Sequence, residues 1–330
     1  MAGCILLAVV AGCTSQPQSG PPGRAAAPSS AAAAQAEPST SGLDKPVAVD
    51  ADGTGRLWVV DVARGQLARM NVDASRVDRR VAVGRLPQDV VYADGALWVS
   101  LGGQGVVARV DPVSGRVSAR VPVGPQPAGL ARAAGAVWVV VSGSGTLARI
   151  DTRRAVVTDT IKAGTQPQSL TVTDGIAWLT DSRAGSVTRV DTSSGQVSTS
   201  GRLCLGPLGV TTADRRVWVA CRDGNSVLVL DPATGNVLDD IAVPGGPQAL
   251  AASNGRVYVA SGDGSPVRLI DARTYQLLDA GRAGAPVGPG AVAETTTPSP
   301  APLQARTGSV SLAVLDGTVW LVSAADGSLR

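Results

Sequence analysis

The chain of 330 residues contains no histidine, and its glutamates fall only at Glu37 and Glu294, in stretches without strand patterning. Acid, base or electrophile roles in the patterned part would therefore fall to Asp and Arg. Aspartate and arginine serve as acid, base or electrophile only where their surroundings shift the pKa by a large amount. No phosphate-binding loop, zinc-ligand cluster or nucleophile elbow is present, so no catalytic residue, metal or cofactor is expected. What these residue types do suit is hydrogen bonding. Arg64, Gln88, Asp89, Gln104, Gln126, Gln166 and Gln168 flank apolar strand patterns, as do Asp181, Arg183, Arg222, Asp223, Gln248, Asp263 and Asp326. Gathered on one face of a fold they form a polar ring able to hold a ligand or a protein loop; the competing reading is a set of ordinary solvated loops.

The elements that must position them repeat. Trp58, Trp98, Trp138, Trp178 and Trp218 follow one another at forty-residue steps, Tyr258 continues the series and Trp320 ends it. The aromatics thus mark an architecture, since a period of about 40 to 45 residues is that of four-stranded propeller blades. Each unit opens on a proline (Pro46, Pro87, Pro127, Pro167, Pro207, Pro247) followed by a short apolar strand. A turn of Asp-Gly or Asn-Gly character comes next, at Asp94-Gly95, Asp174-Gly175, Asn254-Gly255 and Asp316-Gly317, a strong hairpin signal. The Trp strand then reads apolar at successive positions, as from Val137 to Val141, which predicts cover on both faces.

A third strand ends in Arg-aliphatic-Asp at Arg109-Val110-Asp111, Arg149-Ile150-Asp151 and Arg189-Val190-Asp191, with Asp231 and Asp271 keeping the Asp. That Asp is expected to cap the next turn by accepting backbone N–H bonds, because it recurs in unit after unit. An outer strand such as Val117 to Val123 or Val237 to Val243 completes the unit. Cys204 precedes Pro207 and Cys221 ends the adjacent antiparallel strand, so the two can meet. In an exported protein a disulfide is expected, with two buried thiols as the alternative.

On these residues, positions 46 to 330 resemble the YVTN/NHL-type propeller repeats shared with the virginiamycin B lyase-like proteins. The resemblance implies an all-β protein, a seven-bladed β-propeller of ~40-residue four-stranded repeats around a central channel. For an enzyme of the streptogramin lyase kind it also implies a His general base with a Glu and a magnesium ion at the propeller centre. No residue of the repeats supplies that His or Glu, and one fold hosts many functions. Two departures from the pattern stand out. Twenty-two extra residues separate Tyr258 from Trp320, which places a loop insertion at about 281–307. Arg330 follows Trp320 by ten residues, so the last blade is expected to be incomplete, through truncation, an absent downstream domain, or an edge left for another segment or partner.

Residues 1–12 form a short apolar stretch ending in Val10-Ala11-Gly12 before Cys13, which resembles a bacterial lipobox with Cys13 as the lipidated residue. Residues 13–43 are rich in Pro, Ser and Ala and have the composition of a flexible tether to the propeller at 44–330. The expectation is an exported protein, lipid-anchored to the outer face of the bacterial cytoplasmic membrane or in the periplasm. The net charge of +3 is small, and the arginines are spread through every unit without a basic patch, so no nucleic-acid partner is expected. The partners expected are the membrane, through the anchor, and a protein or small molecule at the propeller face. The function expected is that of a binding or scaffold module, with a virginiamycin B lyase-like enzyme or the sensor part of a longer protein as alternatives.

Overall fold

The structure, a computed structural model, describes residues 42–71, 76–278, 310–315, 318–324 and 328–329. These residues form seven antiparallel sheets, six of four strands and one of three, with the strands of each sheet in chain order. The first strands are Pro46–Ala51, Pro87–Ala93, Pro127–Ala133, Ser169–Thr173, Pro207–Ala213, Pro247–Ser253 and Val310–Leu315. Each lies against the first strand of the following sheet, and the seventh returns to the first, which closes the ring. The protein is therefore an all-β, seven-bladed propeller, and its first strands line the central channel.

The Trp strands form the core. Ala96–Leu101 and Ala136–Val141 are buried at every position, as the unbroken apolar runs require. Each indole packs into the next blade: Trp98 lies among Val137, Val139, Ala148 and Ile150, and Trp138 among Ala177, Leu179 and Val190. The seam between the last blade and the first is built from Val49, Leu57, Val59 and Met70 against Val322 and Leu329, with Trp320 half-buried beside them. Across the strand pair the Arg of the third strand stands directly opposite the Trp, at Trp58 with Arg69 and Trp98 with Arg109. The guanidinium carbons lie 5.8 and 5.9 Å from the ring centres, within reach of the quadrupole.

The Asp that follows caps its turn in every blade where the pattern has it. One oxygen of Asp111 accepts from the N–H groups of Val113 and Ser114, and Asp151, Asp191, Asp231 and Asp271 repeat the geometry. The Ser193 hydroxyl on Asp191, and the backbone bonds on Asp111, Asp151, Asp231 and Asp271, hold these carboxyls below the ordinary carboxylate range.

The outer strands begin where the sequence places them and end one residue earlier, at Val117–Pro122 and Val237–Ala242. The seventh sheet holds Val310–Leu315, Thr318–Ser323 and Ser328–Leu329, and no fourth strand among the described residues. The insertion expected at about 281–307, the lipidation residue Cys13 and residues 1–41 lie outside the described residues. Gly42 and Leu43, assigned above to the tether, are part of the packed structure. The Gly42 carbonyl accepts from Arg64 and Arg80, and Leu43 is buried in the seam between the last and first blades.

Candidate binding site at the channel mouth

In five blades the repeat proline is the first residue of the first strand, and the residues that follow the six repeat prolines gather at one end of the channel. A cavity of about 620 Å³ opens there, with residues from all seven blades in its wall. Gln88, Gln168 and Gln248 follow the prolines of blades two, four and six, while Val47, Ala128 and Leu208 hold the same place in blades one, three and five. Amide and apolar side chains thus alternate round the rim. Gln126 and Gln166 add two more amides from the position before the proline, and Asp89 supplies the one ionisable side chain of the wall. The side-chain amides of Gln126, Gln166, Gln168 and Gln248 make no hydrogen bond among the described residues, which leaves their donors and acceptors to whatever fills the mouth.

Two glycines bring neighbouring first strands unusually close. A Cβ at Gly129 would fall 2.7 Å from the Gln168 carbonyl oxygen, and one at Gly209 would fall 2.6 Å from that of Gln248. Gly129 N–H donates to the Gln168 carbonyl at 3.0 Å. Elsewhere hydroxyls make the same bridge, with Ser100 donating to the Ala128 carbonyl and Thr180 to that of Leu208. Where the first two blades meet their successors, carboxylates do so. Asp89 accepts from Val90 N–H and from Leu130 N–H of the next blade, both at 2.8 Å. Burial pushes the Asp89 carboxyl up to about 7, against the pull of those two bonds.

Of the residues singled out from the sequence, the cavity gathers Gln88, Asp89, Gln126, Gln166, Gln168 and Gln248. The others do different work. Asp181 is buried and accepts from the N–H groups of Thr165, Gln166, Arg183 and Ala184, so it ties two loops together. Gln104 accepts from Arg85 N–H, Arg64 bonds Asp61, and Asp263 caps its own turn through Ser265. Arg222 and Asp223 pair with each other at 2.8 Å. Arg183 is not in the cavity wall, and Asp326 lies outside the described residues. Leu86, Ser142, Ser169 and Ser311 also line the cavity and were not singled out. Their signal was positional: Leu86 sits one place before a repeat proline and Ser169 two places after one. Cys204 and Cys221 form a disulfide, with Cα atoms 6.0 Å apart, beside the fifth blade's first strand.

The wall does not fit the magnesium ion that the family resemblance implies. Asp89 is its one carboxylate, no second acid and no imidazole stands beside it, and no metal-binding group of three His, Cys, Asp or Glu residues occurs among the described residues.

No protein-family model matches the chain, and no curated protein matches it. Solved structures do. A selenomethionine-substituted virginiamycin B lyase from Staphylococcus aureus aligns with a TM-score of 0.70 at 14% identity, covering 86% of this chain and 92% of that one. A catalytically inactive histidine-to-alanine variant of the lyase from the same organism, solved with quinupristin, aligns with a TM-score of 0.69 at 15% identity over 86% and 93% of the two chains. Hydrazine synthase from Kuenenia stuttgartiensis aligns with a TM-score of 0.68 at 16% identity over 87% and 95%. At such identities the likeness establishes the propeller and nothing finer.

Proposed function

We propose that this chain is an envelope-anchored binding module whose ligand, a small molecule or a protein loop, seats in the channel mouth. The observation that carries this reading is the convergence of five glutamines and Asp89, from blades two, three, four and six, on one cavity of about 620 Å³. A concave site with a few convergent polar groups among apolar ones is the usual form of a binding pocket. Cys13 is the lipid-bearing residue and residues 13–41 are the spacer that holds the propeller off the membrane.

Ligand-observed NMR on the full chain tests the site. With a panel of N-acetyl amino-acid amides, dipeptides and monosaccharides as probes, binders should lose their signal transfer when Gln88, Gln168 and Gln248 are all changed to Ala, while the unfolding midpoint is kept. A panel whose binding is untouched by the triple change would sink the reading. Localisation is tested by fractionation: the full chain should sediment with membranes and incorporate labelled fatty acid, and Cys13→Ser should release it.

A lyase-like activity is the second reading, favoured by the likeness to virginiamycin B lyases over most of the chain and by the Asp89 carboxyl near neutrality. Incubation with quinupristin, with and without magnesium, separates the two: the binding reading expects no linear product, and clear turnover would replace it with the enzyme.

A further inference from the structure

The same carboxylate clasp occurs twice along the channel, with a difference. Asp50 accepts from its neighbour Ala51 N–H at 2.9 Å and from Tyr92 N–H of the next blade at 2.8 Å; Asp89 does the same with Val90 and Leu130. Asp50 has a counter-charge, the Arg132 guanidinium at 3.6 Å. Asp89 has no ion pair among the described residues. The charges on the strands around it are Asp50 on the preceding blade, which repels it, and Arg132 on the following one, which is engaged with Asp50. The first two strands of its own blade add only the Tyr92 phenol and no further charged group; Arg109 and Arg120 lie on the third and fourth strands, and Arg109 stands over the Trp98 ring.

The backbone takes one lone-pair site on each Asp89 oxygen, which leaves acceptor capacity free on both. Asp89 opens on a cavity whose wall, among the described residues, holds no Arg or Lys and is otherwise amide, hydroxyl, backbone and aliphatic. A desolvated carboxylate without a counter-charge is costly, and a ligand that brings the missing charge recovers that cost.

Resting on the channel-mouth reading above, we propose that the site selects a small organic cation, a compound bearing one guanidinium or ammonium group, with Asp89 as its counter-charge and the rim glutamines as further acceptors. Because burial holds the Asp89 carboxyl near 7, such a ligand must displace a proton at neutral pH, and its affinity rises as pH passes upward through that value.

Calorimetry on the full chain with N-acetylarginine methylamide and its neutral isostere N-acetylcitrulline methylamide tests this. At about pH 8.5 the arginine probe should bind about tenfold or more tightly than the citrulline probe, and at about pH 5.5 that advantage should vanish. Near pH 7, binding in buffers of different ionisation enthalpy should show proton release. Asp89→Asn should abolish the preference. Equal affinity for the two probes overturns the cation proposal and leaves the channel-mouth reading standing. A preference that survives Asp89→Asn overturns it too, as does failure of the arginine probe to bind at millimolar concentration; the glutamine variants above decide independently whether the mouth binds anything.

Discussion

Trp138 is 2% exposed and packs among Leu170, Ala177, Leu179 and Val190 of the following blade. Replacing so large a buried side chain removes its transfer energy and leaves a cavity, so Trp138→Ala should cost about 3 to 5 kcal/mol. Urea unfolding monitored by circular dichroism measures it, and an unchanged midpoint would contradict the role of the indoles as inter-blade wedges. The aspartates divide into two kinds with opposite pH behaviour. Turn caps such as Asp191 have folded-state pKa values below the unfolded value, so their contribution is present above the ordinary carboxylate range and is lost as pH falls through the folded value. Asp89 is the reverse: raised to about 7, it contributes stability that is full below the unfolded value near 3.8 and is lost as pH rises through 7. Denaturation midpoints should therefore show a decline between about pH 4 and pH 8 that Asp89→Asn flattens. A wild-type profile flat over that interval would show that Asp89 ionises normally.

At the scale of the element, one position explains why Asp181 has no place in the cavity. In three blades the third residue after the aromatic anchors the loop leading into the same blade's first strand. In the first blade it is Asp61, whose oxygens accept from Asp44 and Lys45 N–H; in the fourth it is Asp181, which accepts from Thr165 and Gln166 N–H. In the fifth it is Cys221, covalently tied to Cys204 in the corresponding loop. A disulfide and a capped carboxylate thus do the same job. With a sequence separation of 17, the closed loop should be worth about 3 kcal/mol through restriction of the unfolded chain. The double variant Cys204→Ser/Cys221→Ser should lose about that much in equilibrium unfolding, and a loss near zero would mean that the loop is held by its other contacts.

Over the whole molecule, stability depends on closing the ring without a shared strand between the first and last blades among the described residues. The seam relies on side chains, Leu43, Met70, Val322 and Leu329 among them, and the last blade's second strand is less covered, with Thr318 exposed and Trp320 half-buried. Ala96–Leu101 in the second blade, by contrast, is buried throughout. Local opening is cheapest where buried contacts are few. Amide hydrogen exchange should accordingly be faster in Thr318–Ser323 than in Ala96–Leu101, and equal protection would show that the ring opens only as a unit.

The recurrence of the aromatic strand was enough to determine the number of blades, and the apolar runs and recurring Asp marked the buried Trp strands and capped turns, because each signal is carried by residues close together in the chain. Hairpin pairing brings Cys221 back to Cys204 for the same local reason. The site is another matter. Gln104, Asp181 and Asp223, which end or follow Trp strands, have the same residue types as Gln88, Asp89 and Gln168 beside the first strands, yet only the latter three line the cavity. Whether a side chain faces the channel, a neighbouring loop or solvent depends on how seven separate first strands converge, and that is a distance between residues from different repeats. Asp50 and Asp89 make the point most sharply: alike in type, in clasp and in being raised by burial, they differ in that Arg132, two blades along from Asp50, pairs with one and leaves the other facing a cavity wall without a counter-charge among the described residues.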